Sequence, residues 1–328
     1  MEDSVVRVFI TQPIPEGPLA RLRAAATVEL FPDASRVLPY DELLSAVARC
    51  DVLFCLLHDR VDGRIIDAAP SLRLIASSTI VPANIDVAAA TRRRIPVTVI
   101  PNIVVETTAD LQWGLLLGIA RRIVESDKGL RLGLFPGSQS TYFIGGEVQG
   151  KTLGTIGLGA IGRAIARRAR GFGMRVLYTK RTRLSPAEER ELEITFTPLD
   201  ELLAESDFVV VNASYHPGTH HLIAQPQLAG MKPTAYLINT ARGPIVDEEA
   251  LVEALRDRRI AGAALDVYEQ EPRVHPGLLP LENVVLTPHI GSATRDTRGR
   301  IAAVVVDNIL AFLRGDRPPN LCNPEIWG

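Results

Sequence analysis

Three observations predict an α/β chain built on parallel sheets, with room for two domains. Short β-rich runs alternate with helical patterns from one end of the sequence to the other, the signature of βαβ units. A glycine run, Gly157-Leu158-Gly159-Ala160-Ile161-Gly162, stands between a strand candidate and a helix candidate. The length, 328 residues, suits two domains of ordinary size.

The first series predicts strands at Val5–Ile10, Val52–Leu57 and Leu72–Ala76, apolar enough to be buried on both faces. Helical patterns near Pro18–Ala26, Asp41–Ala48 and Gly63–Ala68 separate them. A second series places strands at Thr152–Ile156, Arg175–Thr179, Phe208–Val211, Ala235–Ile238, Ala261–Asp266 and Val284–Leu286. Its helices are predicted near Ala160–Phe172, Pro198–Ala204, Glu248–Arg256 and Arg295–Leu313. Thr197 is placed to cap the helix that Pro198 opens, with Asp200 and Glu201 in the first turn. Leu111–Val124 reads as an amphipathic helix connecting the two series. Gly129–Gly150, rich in Gly, Ser and aromatics without periodicity, reads as a long ordered crossover.

A formal net charge of −2 argues against an electrostatic grip on nucleic acid. Basic residues are locally dense in Arg92-Arg93-Arg94 and Lys180-Arg181-Thr182-Arg183. The triplet reads as the solvated end of a helix, favoured there by the helix dipole. Cys50, Cys55 and Cys322 form an odd set with no metal spacing, so a reduced, cytoplasmic compartment and no metal are expected. The opening Met-Glu-Asp-Ser shows no apolar signal core. The apolar stretches fall short of the roughly 18 to 20 residues of a spanning helix, so no membrane association is expected.

Strand before and helix after are the context in which Gly-x-Gly-x-x-Gly has a mechanism. The first glycine permits the turn, the second lets phosphates approach the backbone, and the third lets helix and strand pack closely. The helix N-terminus then faces a pyrophosphate. A tight structural turn is the alternative. Cofactor choice falls at the end of the next strand, where a carboxylate would bond a ribose 2′-hydroxyl. Here Leu177-Tyr178-Thr179 runs instead into Lys180, Arg181, Thr182 and Arg183. Cations and a hydroxyl suit a 2′-phosphate, so NADPH is favoured, with NADH the other candidate. A solvated basic loop is the bland reading.

Downstream lie Arg242 in Asn-Thr-Ala-Arg-Gly, Glu271 in Glu-Gln-Glu-Pro and His289 in Thr-Pro-His-Ile-Gly-Ser. When a hydride reaches a carbonyl, the oxygen must collect a proton near neutral pH. Imidazole is the side chain best matched to supply it. Glu271 is a plausible partner favouring the cationic ring, and Arg242, after a strand, could grip a carboxylate and polarise the carbonyl. Each has a bland alternative: a structural histidine, a surface Glu before Pro272, a structural ion pair. Of His58, His216, His220, His221 and His275, only His216 follows a strand where it could border a cofactor. Asp266 ends its strand similarly, where it could orient the nicotinamide amide or a nearby group.

These residues carry a resemblance over nearly the whole chain. Gly157–Gly162, Met231-Lys232-Pro233, Asn239–Gly243, Val246-Asp247-Glu248, Ala261–Val267, Glu271-Pro272 and Thr287–Thr294 resemble the D-isomer-specific 2-hydroxyacid dehydrogenases. The resemblance implies Arg242 as substrate-binding arginine, Glu271 as assisting acid and His289 as proton donor. It places Thr240, Ala241, Asp266 and Gly291 with the glycine run at the cofactor. It implies two Rossmann-like, flavodoxin-like domains. A nucleotide domain of 101–287 is inserted in a substrate domain of 1–100 and 288–328, and homodimers form through the nucleotide domain. Tyr178–Arg183 looks most like the NADPH-dependent glyoxylate/hydroxypyruvate reductases.

One stretch departs from the pattern. The family's substrate loop usually carries glycine before Asp-x-Ile-Asp, whereas this chain reads Ser77-Ser78-Thr79-Ile80-Val81-Pro82-Ala83-Asn84-Ile85-Asp86. Pro82 offers no N–H, leaving Thr79, Ile80 and Val81 as backbone donors for a substrate carboxylate. Asp110 matches a helix start near the family's cleft, with no role legible in the sequence.

The expected activity is NAD(P)H-dependent reduction of a small 2-oxo acid to the D-2-hydroxy acid. Two alternatives remain open. Phosphite dehydrogenase resembles this family and would suit an altered loop; formate dehydrogenases resemble it too but replace the acid corresponding to Glu271. Transcriptional corepressors resemble it and retain the Arg, Glu and His set, which leaves a nucleotide-sensing scaffold as the non-catalytic alternative.

Overall fold

The structure, a computed structural model, describes residues 5–327, so the Met-Glu-Asp-Ser start lies outside the described residues. Two compact units divide the chain. One runs to Ile103 and resumes at Ala293; the other is Val104–Ser292.

The first unit opens with β1 (Arg7–Ile10), α1 (Glu16–Arg23), β2 (Thr27–Leu30), α2 (Tyr40–Val47) and β3 (Val52–Cys55). It continues through α3 (Gly63–Asp67), β4 (Leu74–Ser77), α4 (Val87–Arg92) and the short β5 (Val97–Thr98). Its all-parallel sheet has the order β2-β1-β3-β4-β5, the flavodoxin-like arrangement. Every residue of β3 and β4 is buried, as a strand covered on both faces requires. β2 was not evident in the sequence because it is an edge strand with no buried residue. The basic triplet does close a helix: Arg92 ends α4, and Arg93 turns back to donate to the carbonyls of Ile66 and Ala69.

The second unit begins with α5 (Val105–Ala120) and α6 (Ile123–Arg131), separated by Arg122 in the left-handed region at φ 53°. The expected single helix at Leu111–Val124 is therefore two, and the first starts six residues earlier. Then come β6 (Thr152–Ile156), α7 (Ala160–Arg170), β7 (Arg175–Thr179), α8 (Pro186–Leu192), β8 (Ile194–Phe196), α9 (Leu199–Glu205) and β9 (Phe208–Val211). The unit closes with α10 (Gln225–Ala229), β10 (Tyr236–Asn239), α11 (Glu248–Arg256), β11 (Gly262–Leu265) and β12 (Val284–Leu286). The expected cap by Thr197 is not made. Pro198, with extended backbone, occupies the cap position of α9, and the Thr197 hydroxyl turns to the Thr195 carbonyl.

Seven parallel strands run β12-β11-β10-β9-β6-β7-β8. Strand order reverses between β6 and β9, and ligands of such sheets bind beyond the carboxyl ends at that point. Apolar clusters fill both faces: Leu116, Ile165, Tyr178 and Phe208 on one, Leu202, Leu237, Leu251 and Leu265 on the other.

The last helix, α12 (Arg295–Leu313), returns to the first unit and packs on α1 and β4. Asp307 there accepts from Arg21 at 2.7 Å. The tail then covers β5: Asn323 accepts from the Val97 amide at 2.8 Å, and the Cys322 amide donates to the Val97 carbonyl at 2.7 Å.

Candidate active site

At the carboxyl end of β6 the chain turns at Gly157 with φ 89°. A Cβ there would fall 2.6 Å from the Asn212 carbonyl carbon, in the strand end that follows β9. Only glycine allows both the torsion and the approach. Gly162 packs against the Gly157 carbonyl just as closely. Gly159 differs, since a Cβ at that position would meet nothing within 4 Å. It precedes the eleven-residue α7, whose first turn holds no acid. Open space before a helix N-terminus fits a pyrophosphate, which a side chain would obstruct. Leu158, Ala160 and Ile161 complete the turn.

Sequence reasoning missed the brace behind this turn. Buried Gln112 of α5 donates to Thr240 Oγ1 at 2.8 Å, and its carbonyl accepts from Asn212 Nδ2 at 3.1 Å. Asn212 also donates to Thr155, whose hydroxyl donates to the Gly157 carbonyl at 2.9 Å. One glutamine thus ties the ends of β9 and β10 together; its spacing on an apolar helix carried no signal. Asp110, also on α5, is a structural partner of Arg168 on α7 at 3.0 Å.

Beyond β7, Lys180 is partly covered, while Arg181, Thr182 and Arg183 are exposed. Arg183 donates to both oxygens of Glu189 at 2.7 and 2.8 Å and lies over the Phe196 ring. Arg183 and Tyr178 hold the Glu189 carboxyl down at about 2. This arginine therefore anchors α8. His216 is likewise occupied locally, its Nδ1 accepting from the Gly218 amide at 3.1 Å.

The trio gathers at the ends of β10, β11 and β12. Arg242 follows Asn239, whose side chain shapes the turn by accepting from the Ala241 amide and donating to the Arg242 carbonyl, each at 3.0 Å. Gly243 brings the turn against Tyr268, where any Cβ would collide with backbone at 1.9 Å. Desolvation draws the Arg242 pKa down and Glu271 pulls it back, and a guanidinium stays cationic at neutral pH.

His289 adopts φ 53°, a left-handed torsion uncommon for a side-chain-bearing residue. Asp266 holds the backbone there. One of its oxygens accepts from Thr287 Oγ1 at 2.6 Å and the Ile290 amide at 2.8 Å; the other accepts from the Gly291 amide at 2.9 Å. Burial raises the Asp266 pKa, against these donors. The ring is fixed by Glu271, with Oε2 2.8 Å from His289 Nδ1, and Glu271 Oε1 accepts from the Tyr268 amide at 3.0 Å. Tyr268, also missed in the sequence, donates to the Thr287 carbonyl at 2.9 Å. A carboxylate on Nδ1 directs Nε2 toward proton exchange, the arrangement that general acid catalysis needs.

In the first unit, Thr79, Ile80 and Val81 follow β4. The Thr79 amide donates to Ser77 Oγ at 3.1 Å and is spent. Ile80 and Val81 are exposed, and their amides have no hydrogen-bond acceptor among the described residues.

Residues 113–291, over half of the chain, match the family described as D-isomer specific 2-hydroxyacid dehydrogenase, NAD binding domain. A glyoxylate reductase of Thermococcus gammatolerans is 47% identical over 324 residues, covering 98% of this chain and 96% of the relative. The chain belongs to the D-isomer specific 2-hydroxyacid dehydrogenase family. A solved structure from Thermus thermophilus superposes on this dehydrogenase with TM-score 0.90 and 43% identity, covering 97% of this chain and 100% of that one. The NADPH-dependent glyoxylate/hydroxypyruvate reductase of Sinorhizobium meliloti, solved with NADP and malonate, gives TM-score 0.80 and 31% identity, with 97% of each chain covered. The protein is thus an NAD(P)-dependent oxidoreductase of 2-oxo and 2-hydroxy acids. No described helix is long and apolar enough to cross a membrane.

Proposed function

We propose that this dehydrogenase reduces glyoxylate, hydroxypyruvate or a similarly small 2-oxo acid to the D-2-hydroxy acid, with NADPH as preferred donor. The observation carrying this reading is the His289–Glu271 pair at 2.8 Å, beside Arg242 at the carboxyl edge of the sheet. Reduced nicotinamide, when bound, supplies the hydride. His289 then protonates the nascent alkoxide, and Glu271 steadies the ring in the required tautomer. Arg242 holds the substrate carboxylate and polarises the carbonyl. In the first unit, considered by itself, the Ile80 and Val81 amides are donors suited to a carboxylate. Val104–Ser292 serves as the nucleotide domain. The glycine turn cradles the pyrophosphate; Thr240, Ala241, Asp266 and Gly291 border the nicotinamide half; Lys180, Arg181 and Thr182 meet the 2′-phosphate. Names of the relatives support the substrate class.

A homodimer through this domain accords with its exposed apolar residues, among them Ile123, Leu130, Leu132, Leu134, Phe135 and Ile144, since such clustering marks association surfaces. Reduced thiols accord with a cytoplasmic setting, with Cys50 and Cys55 buried and unpaired.

Glyoxylate, hydroxypyruvate, longer 2-oxo acids and phosphite, each assayed by NADPH and NADH absorbance, test both specificities. Turnover confined to phosphite, or tight cofactor binding without any turnover, would sink this reading.

A further inference from the structure

We propose that Asn84 is a positioning residue for the substrate: it fixes the loop apex whose Ile80 and Val81 amides receive the carboxylate. The inference rests on the reading of that loop given above, and its ground is the hydrogen bonding of the first unit.

Most backbone donors of the loop are spent within the protein. The Ala83 amide donates to the Val81 carbonyl at 2.9 Å and Ile85 to Pro82 at 3.1 Å. With Thr79 bound to Ser77 and Pro82 lacking an N–H, the amides without an acceptor among the described residues are Ile80 and Val81, adjacent at the apex, and Asn84 beyond it. Successive amides of this kind form an anion-binding concavity only if the turn is held still.

Asn84 supplies the hold. Its Nδ2 donates to the Leu56 carbonyl at 2.9 Å and the Asp59 carbonyl at 2.8 Å, while its backbone carbonyl accepts from the Val61 amide at 2.9 Å. The 56–61 segment is fastened in turn through Asp59, which accepts from the Leu56 amide at 2.6 Å and from Thr11 Oγ1 at 2.5 Å. A continuous brace therefore runs from the end of β1 through Asp59 and Asn84 to the apex. Two carbonyl acceptors demand an NH2 group, which aspartate cannot present. The Asn84 Oδ1 is buried with no hydrogen-bond partner among the described residues. An apolar residue would avoid that cost, so the side chain is explained by what it donates.

Two variants test this, Asn84→Ala and Thr11→Val, the second loosening the brace from its far end without touching the loop. Steady-state kinetics with glyoxylate, NADPH titration and melting temperature are measured for each. Losing two hydrogen bonds should raise the KM for glyoxylate about tenfold in Asn84→Ala, with kcat within about threefold and NADPH affinity unchanged. Thr11→Val should raise KM by less, and it carries the test alone if Asn84→Ala does not fold. An unaltered KM in the folded variants overturns the proposal. So does a fall of kcat and NADPH affinity in step with melting temperature, the mark of general loosening. A wild-type protein inert toward every 2-oxo acid is a distinct outcome: it defeats the functional reading first, and this inference with it.

Discussion

Glu271 divides its two oxygens between a ring and the backbone: Oε2 lies 2.8 Å from His289 Nδ1, and Oε1 accepts the Tyr268 amide at 3.0 Å. The carboxylate is thereby held before it meets the imidazole, the preorganisation that the proposed proton donation by His289 requires. Glu271→Gln keeps the shape and removes the charge. It should lower kcat about a hundredfold, and His289→Ala about a thousandfold, with NADPH affinity retained in both. Full turnover in His289→Ala would remove the imidazole from the reaction.

Asp266 offers a different handle because it hydrogen-bonds the turn and reaches the His289 ring only through charge. Its carboxylate accepts from Thr287, Ile290 and Gly291. In Asp266→Asn an NH2 group must face at least one of those donors, leaving a buried group unsatisfied at about 1–3 kcal/mol. Thermal unfolding should show that loss together with reduced kcat, since His289 depends on this turn for its backbone conformation. A variant of unchanged stability would show that the turn does not need the acid.

Cofactor preference should separate the basic residues after β7. Lys180→Ala and Arg181→Ala should each weaken NADPH about tenfold while NADH binding stays nearly constant, the response expected when a cation leaves a phosphate. Arg183→Ala should leave the NADPH to NADH ratio unchanged, because its guanidinium is engaged by Glu189 at 2.7 and 2.8 Å. Isothermal titration with both cofactors decides the matter.

Asp59 gives a pH signature in the first unit. Burial raises its pKa, opposed by the Thr11 hydroxyl and the Leu56 amide. A carboxyl whose folded pKa exceeds its unfolded value contributes stability below the unfolded pKa and loses it as pH rises through the folded one. Asp59→Asn abolishes that titration. The melting temperature of wild type minus variant should therefore fall as the pH rises above about 4. A constant or rising difference contradicts this account.

Local chemistry made much of the molecule legible. Gly157 needs a positive φ, α7 needs a strand before it, and the buried runs of β3, β4 and β9 need cover on both faces; each demand is written in neighbouring residues. The edges were less legible, because β2 has no buried residue and β8 only one, and an edge strand is defined by a partner on one side. The break at Arg122 and the start of α5 at Val105 escaped for a similar reason: packing on the sheet, more than periodicity, sets those limits. Within the site, the sequence by itself named the candidate groups: an imidazole, an acid, a guanidinium and a glycine turn. Tertiary structure alone decided their partners. It spent Arg183 on Glu189, the Thr79 amide on Ser77, and the Asn84 side chain on two carbonyls from another loop. Hydrogen bonds form between groups that folding brings within about 3 Å, and no spacing along a chain announces which groups those will be.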